Sequence, residues 1–176
     1  MLGIIGLALA LLVAGVLVYA STRPDRFRIE RTAQIDAPPE KVFPLVDDFR
    51  QWTQWSPWEG IDPDLKRVHA GSARGVGAVY EWEGNRNVGR GRMEIVESAS
   101  AARIAIKLDF LKPFEAHNMA EFTFERRAEA TQLTWAMHGP SPFMSKLMGL
   151  VVNMDRMVGA QFELGLARLK AVCEKK

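Results

Sequence analysis

Residues 27–43 read FRIERTAQIDAPPEKVF. The first nine alternate: Phe27, Ile29, Arg31, Ala33 and Ile35 share one face, and Arg28, Glu30, Thr32 and Gln34 the other. That period of two predicts a half-buried strand, with Arg31 as the one charged residue on the apolar side. The strand ends at Asp36-Ala37-Pro38-Pro39, where Asp36 or Ala37 can cap a helix and a proline suits its first turn. Glu40 to Val46 then places Val42, Phe43, Leu45 and Val46 on a short amphipathic helix. Asp47 or Asp48 can cap a second short helix through Trp55, stopped near Pro57.

Downstream of Pro63 the pattern changes to strands. Leu65–Ala70 is one candidate, and Gly75–Glu83 another, with Ala78, Tyr80 and Trp82 on one face. Gly84-Asn85-Arg86-Asn87 is a hairpin signal, and Val88–Glu97 returns. Arg103–Phe110 alternates with Ile104, Ile106, Leu108 and Phe110 together. Glu115–Arg126 carries Phe122 and Phe124 on one face, and Thr131–His138 carries Leu133, Trp135 and Met137. Short strands joined by turns predict a curved antiparallel meander. From Phe143 to about Glu174 there is no proline, and apolar residues recur at helical spacing. That predicts one closing helix of roughly 30 residues, more than 40 Å long. The expected class is α+β, a helix-grip fold: about seven curved antiparallel strands around a long C-terminal helix, with two short helices plugging one end.

The N-terminus has a different character. No charged residue occurs from Leu2 to Ala20. A helix of that length spans roughly 28 Å, about one hydrocarbon core. The expectation is a single-pass membrane helix over 1–22, a short linker over 23–26 and one domain over 27–174. A cleaved signal peptide is the competing reading, since Val18-Tyr19-Ala20 offers a small-x-small site, although no Lys or Arg precedes the apolar run. Arg23, Arg26 and Arg28 follow it, which places the domain on the cytoplasmic side.

Composition excludes several classes. The 176 residues carry 23 Lys and Arg against 21 Asp and Glu, a net charge of +2, and no basic run with interleaved aromatics, so nucleic acid is not an expected partner. The three histidines, His69, His117 and His138, fall in no metal-binding spacing, so neither metal nor cofactor is expected. By alternation His117 and His138 lie opposite the apolar strand faces. Ser141 stands between two prolines with no nucleophile elbow. Cys173, the only cysteine, is expected as a packed small residue. The glycines of GNRNVGRG (84–91) stand between strands rather than before a helix, so they read as turn and bend positions, not a phosphate cradle. Glu81 and Glu83 face Arg90 and Arg92 across that hairpin. They form an outer ion network, or, if that face lines the cup, a ligand grip or an acid–base pair.

The order of elements and four local stretches resemble the SRPBCC superfamily, the START-like and polyketide cyclase/dehydrase-like proteins. The stretches are Ile35 to Phe43, the Trp52-x-x-Trp55-Ser56-Pro57-Trp58 block, Gly75-Val76-Gly77, and Gly165 to Lys170 near the chain end. The resemblance covers about residues 27–172. It implies a cup enclosing a cavity, and a membership that includes lipid carriers, aromatic cyclases and co-chaperone domains, so fold is implied more sharply than chemistry.

That resemblance places the tryptophan block at the cavity entrance. Its rings either plug the cup or line the entrance. Expected ligand contacts are Trp55 and Trp58 from the block, Trp82, Phe110 and Trp135 from the strands, and Met144, Met148 and Met154 from the closing helix. Such a wall suits binding of a hydrophobic small molecule or lipid. A cyclase or dehydrase is the alternative, and needs a titratable group inside the pocket. A third reading makes the tryptophan block an exposed docking patch. Catalytic residues and oligomeric state are not legible.

Overall fold

The computed structural model describes residues 2–175; Met1, part of the expected membrane segment, lies outside them. The elements run α1 (Leu2–Ser21), β1 (Arg26–Ile35), α2 (Pro39–Asp47), a 310 turn (Phe49–Gln54), β2 (Lys66–Gly71), β3 (Ala78–Glu83), β4 (Arg90–Ala99), β5 (Arg103–Lys112), β6 (Ala116–Arg127), β7 (Ala130–Pro140), α3 (Phe143–Met148) and α4 (Met154–Glu174). The seven strands form one antiparallel sheet in the order β1-β7-β6-β5-β4-β3-β2. The first strand therefore pairs with the last, and α4 packs across the concave side, as a helix-grip fold requires.

Local chemistry explains the curvature. Opposite β5, Val96 is an extra residue in β4 between Ile95 and Glu97, a bulge that bends the sheet. Gly91 pairs with Trp82, and a Cβ there would collide with the indole ring. Only glycine lets that ring lie flat across the strand.

Arg31, the misfit of the opening strand, binds α4. Its guanidinium donates to Asp155 at 3.1 Å and to Glu163 at 2.7 Å, both on α4. Gly159 leaves the room for it. The residue that broke the strand pattern is the clasp between sheet and helix.

Two local expectations change. The second short helix is a 310 turn, started by Asp48 accepting from the Arg50 N–H at 2.9 Å. Three residues per turn still puts Trp52 and Trp55 on one edge. The single closing helix is two. α3 ends at Gly149, and α4 restarts with the Asn153 side chain accepting from the Arg156 N–H at 2.9 Å. Apolar periodicity runs through the break, because the elbow residues are apolar too. The caps, a glycine and an asparagine, mark the interruption.

Strand directions define two ends. β1 starts where β7 finishes, with Arg26 opposite Pro140. The β3–β4 and β5–β6 turns, α3 and the start of α4 lie at that same end. α2 and the 310 turn close the other. There Val42, Val46, Phe49, Trp52, Ile104, Phe124 and Leu133 form a continuous buried cluster.

Candidate functional site

The half of the cup away from α2 is hollow. A cavity of about 140 Å³ is walled by β3, β4, β5, β6 and β7 below and α4 above. Each strand contributes from the part nearest the β1 start: Tyr80 and Trp82, Met93, Leu108 and Phe110, Ala120, then Trp135 and Met137. Val158 and Phe162 come from the first half of α4, and Trp58 and Glu59 from the loop after the 310 turn. The wall is almost entirely apolar. The volume is close to the roughly 150 Å³ at which an apolar cavity admits a benzene ring.

The tryptophan block divides. Trp52 and Trp55 are core: their indole N–H groups donate to the Val46 carbonyl at 3.0 Å and the Leu45 carbonyl at 2.9 Å, tying the 310 turn to α2. Burying such rings contributes a few kcal/mol each, at about 25 cal/mol per Å². Their burial removes the exposed docking patch. Trp52 also reaches the inner edge of the cavity, and Trp58 leaves the cluster to line it, edge-on to Trp135 at 5.7 Å and Phe162 at 6.3 Å.

The other expected contacts also separate. Trp82, Phe110 and Trp135 line the cavity with Trp58. Trp55 sits behind it, against Trp135 at 5.7 Å. Met144, Met148 and Met154 lie outside, exposed around the elbow between α3 and α4. They carry the helical spacing of a core face, but α3 turns away from the sheet before that face can be buried.

Polar groups at the wall are few. Trp135 is stacked between Phe162 at 4.2 Å and Phe122 at 4.9 Å. Its Nε1–H is buried, with no hydrogen-bond partner among the described residues. A buried donor without a partner costs on the order of 1–3 kcal/mol, so a ligand acceptor that reached it through a small shift of the ring would be favoured there. At the cavity margin, Glu59 holds Arg67 (Nη2 to Oε2, 2.5 Å) and faces the Tyr80 hydroxyl at 3.5 Å. Burial, reinforced by the Glu59 charge, pushes the Tyr80 phenol up to about 12, so it stays protonated and able to donate. The sequence reading passed over this corner. Glu59, Arg67 and Tyr80 are scattered along the chain: β2–β3 pairing sets Arg67 near Tyr80, and the loop after the 310 turn lays Glu59 against both.

Charged residues weighed as possible pocket groups lie elsewhere. Arg92 contacts Glu81 at 3.6 Å and Glu94 at 2.8 Å, on the convex face. Glu83 and Arg90 are exposed. His117 bonds Asp109 at 2.7 Å and His138 meets Glu121 at 3.2 Å, also on that face. The Asp109 carboxylate raises the His117 pKa above its ordinary value. Burial pushes the Cys173 thiol up to about 11, which keeps it protonated and unreactive at neutral pH. Among the described residues no cluster of His, Cys, Asp or Glu could hold a metal ion.

Known structures share this architecture. The di-domain ARO/CYC BexL from the BE-7585A biosynthetic pathway superposes with a TM-score of 0.64 at 17% identity, over 90% of this chain and 54% of that one. CV1439 from Chromobacterium violaceum gives 0.59 at 16% identity, over 88% of this chain and all of that one. DynU16, a putative protein in the dynemicin biosynthetic locus, gives 0.58 at 21% identity, over 87% and 48%. At these identities the likeness is one of fold. No curated protein matches the sequence. The family model described as polyketide cyclase/dehydrase and lipid transport matches residues 26–174, from the first residue of β1 to the last of α4. The chain belongs to the polyketide cyclase/dehydrase and lipid transport family.

Proposed function

We propose that the protein is a membrane-tethered carrier that holds a hydrophobic small molecule or lipid in the cavity between sheet and α4. The observation that carries this reading is the wall: aromatic and aliphatic over almost its whole surface, with the unpartnered Trp135 N–H as an isolated donor. Such a site orients a mostly apolar ligand bearing one acceptor. The volume suits one ring or a short piece of acyl chain, with the rest of a longer ligand emerging past Trp82 and Val158. α1 supports the tether: from Gly3 to Ser21 it is long and apolar enough to cross a membrane, and its side chains stand free of the domain except at Ala20, near its foot. The arginines after it favour the cytoplasmic side.

A cyclase-type reading draws on the Glu59–Tyr80 corner, where a protonated phenol can donate to a substrate carbonyl. The two readings part on turnover.

Native mass spectrometry of the full chain released from its membrane, followed by organic extraction, tests the carrier. A defined apolar species retained by the wild type and lost from Trp82→Ala supports it. A ligand-free mass from membrane-purified protein sinks it. Conversion of a poly-β-ketone thioester to an aromatic product, abolished by Tyr80→Phe, would transfer the assignment to catalysis.

A further inference from the structure

We propose that the open end of the cup rests on the bilayer, with the α3–α4 elbow and the β5–β6 turn seated among lipid headgroups, so that the cavity opens onto the leaflet. The inference rests on α1 being a membrane span, and adds a second, peripheral contact.

Four observations meet at one end of the molecule. First, α1 delivers the chain there. Only residues 22–25 separate it from β1, and they are pinned: the Asp25 carbonyl accepts from the Ser141 N–H at 2.7 Å, and the Asp25 carboxylate takes the Lys146 ammonium of α3 at 2.6 Å. Ala20, near the foot of α1, is fully buried. α3 is thereby held against the point where the chain would leave the membrane.

Second, this end exposes large apolar side chains. Val151 is 89% exposed, Met144 65% and Met148 55%, all around the elbow, and Phe114 on the β5–β6 turn is 79% exposed. Scattered single apolar residues are ordinary on a protein surface; a group of them beside a membrane helix marks a surface that meets lipid.

Third, the charge suits an anionic leaflet. Arg23, Arg26, Lys66, Arg86, Arg90, Lys112 and Arg156 fall at this end, against Asp62, Asp64, Glu83, Glu115 and Asp155, beside the paired Asp25 and Lys146, which leaves a basic excess of two. Basic residues beside a bilayer are drawn to acidic headgroups.

Fourth, the cavity lies in this half of the sheet. The elbow leads straight into the turn of α4 that carries Val158, one of its walls. A lipid leaving the leaflet at this end would reach the cavity without crossing water.

The test is nitroxide accessibility on the full chain in phosphatidylcholine/phosphatidylglycerol vesicles. Labels go at Val151→Cys and Phe114→Cys, with Glu129→Cys on the β6–β7 turn at the opposite end. Cys173 is buried, and unmodified protein reports its background labelling. Carbonate extraction run alongside reports on α1. The expected result is that labels at 151 and 114 collide with oxygen in preference to a water-soluble nickel chelate, while 129 shows the reverse. Removing phosphatidylglycerol should make 114 more nickel-accessible. If 151 and 114 are as nickel-accessible as 129 in a carbonate-resistant chain, docking is overturned and the span survives. Release by carbonate overturns both. Spin–spin broadening at 151 would mean that a second copy covers the elbow, and also overturns it.

Discussion

The two ends of the cup are built from the same sheet and the same helix, yet one is solid and the other hollow. At the α2 end the inward residues of the strands meet a second layer. Trp52 and Trp55 descend from the 310 turn and its cap onto Phe122 and Trp135, with ring centroids 5.7–6.4 Å apart, and Phe49 backs Trp52 at 5.3 Å. At the α1 end the same strands carry inward residues of similar size, Leu108, Phe110 and Met137, but only α4 and the loop carrying Trp58 are delivered on top of them. The difference is one of supply. A curved sheet and one helix cannot fill the space they enclose; a plug must come from elsewhere, and this chain sends its plug to one end only.

Breaking the solid end should give the largest effect. Trp55→Ala removes a fully buried ring and its bond to the Leu45 carbonyl, and should cost about 3–5 kcal/mol by denaturant titration. A loss below 1 kcal/mol would mean that the closed end is no better packed than the open one.

Filling the hollow end should do the opposite. Ala120→Phe places a ring in the cavity, and stability should change by about 1 kcal/mol or less, since the side chain enters existing space. Ligand retention should fall tenfold or more in the extraction assay. Large destabilisation with retention intact would show that the cavity closes in solution.

Trp135→Phe sharpens the comparison further by deleting the unpartnered donor. Retention of a ligand with a hydrogen-bond acceptor should weaken about fivefold, equivalent to roughly 1 kcal/mol. A pure hydrocarbon probe should bind unchanged. Equal losses for both would assign Trp135 to shape alone.

The smallest effect lies outside the cup. His117 has a raised pKa through its bond to Asp109. Its stabilising contribution is therefore fully present below the unfolded value of about 6.5, and is lost as pH rises through the folded value. His117→Ala should lower the melting temperature slightly on the acid side and not on the alkaline side. Ligand retention should be indifferent to pH across this range, because that pair sits on the opposite face of the sheet from the cavity.

Arg31 and the three outlying methionines show why some of this was legible and some was not. Arg31 could be recognised as a misfit from period two alone, but its partners Asp155 and Glu163 lie more than 120 residues away, so its purpose needed the fold. Met144, Met148 and Met154 read as a core stripe because helical spacing reports a face without reporting what covers it. The break at Gly149–Asn153 was hidden because Leu150, Val151 and Val152 between its two caps are themselves apolar. The Glu59–Arg67–Tyr80 corner was invisible for the converse reason: its members share no local pattern, only a cross-strand neighbourhood.

The sequence by itself determined the element order, the curved meander, the closing helical segment and the apolar N-terminal helix, because each rests on periodicities and turn residues that act over a few positions. Tertiary structure alone decided how the tryptophans divide between core and wall, that α3 turns away as a separate helix, and that the cavity, the elbow and the foot of α1 share one end. Those facts depend on which distant segments are delivered to the same place. Strand pairing and packing settle that delivery, and residues far apart in the chain hold no local record of it.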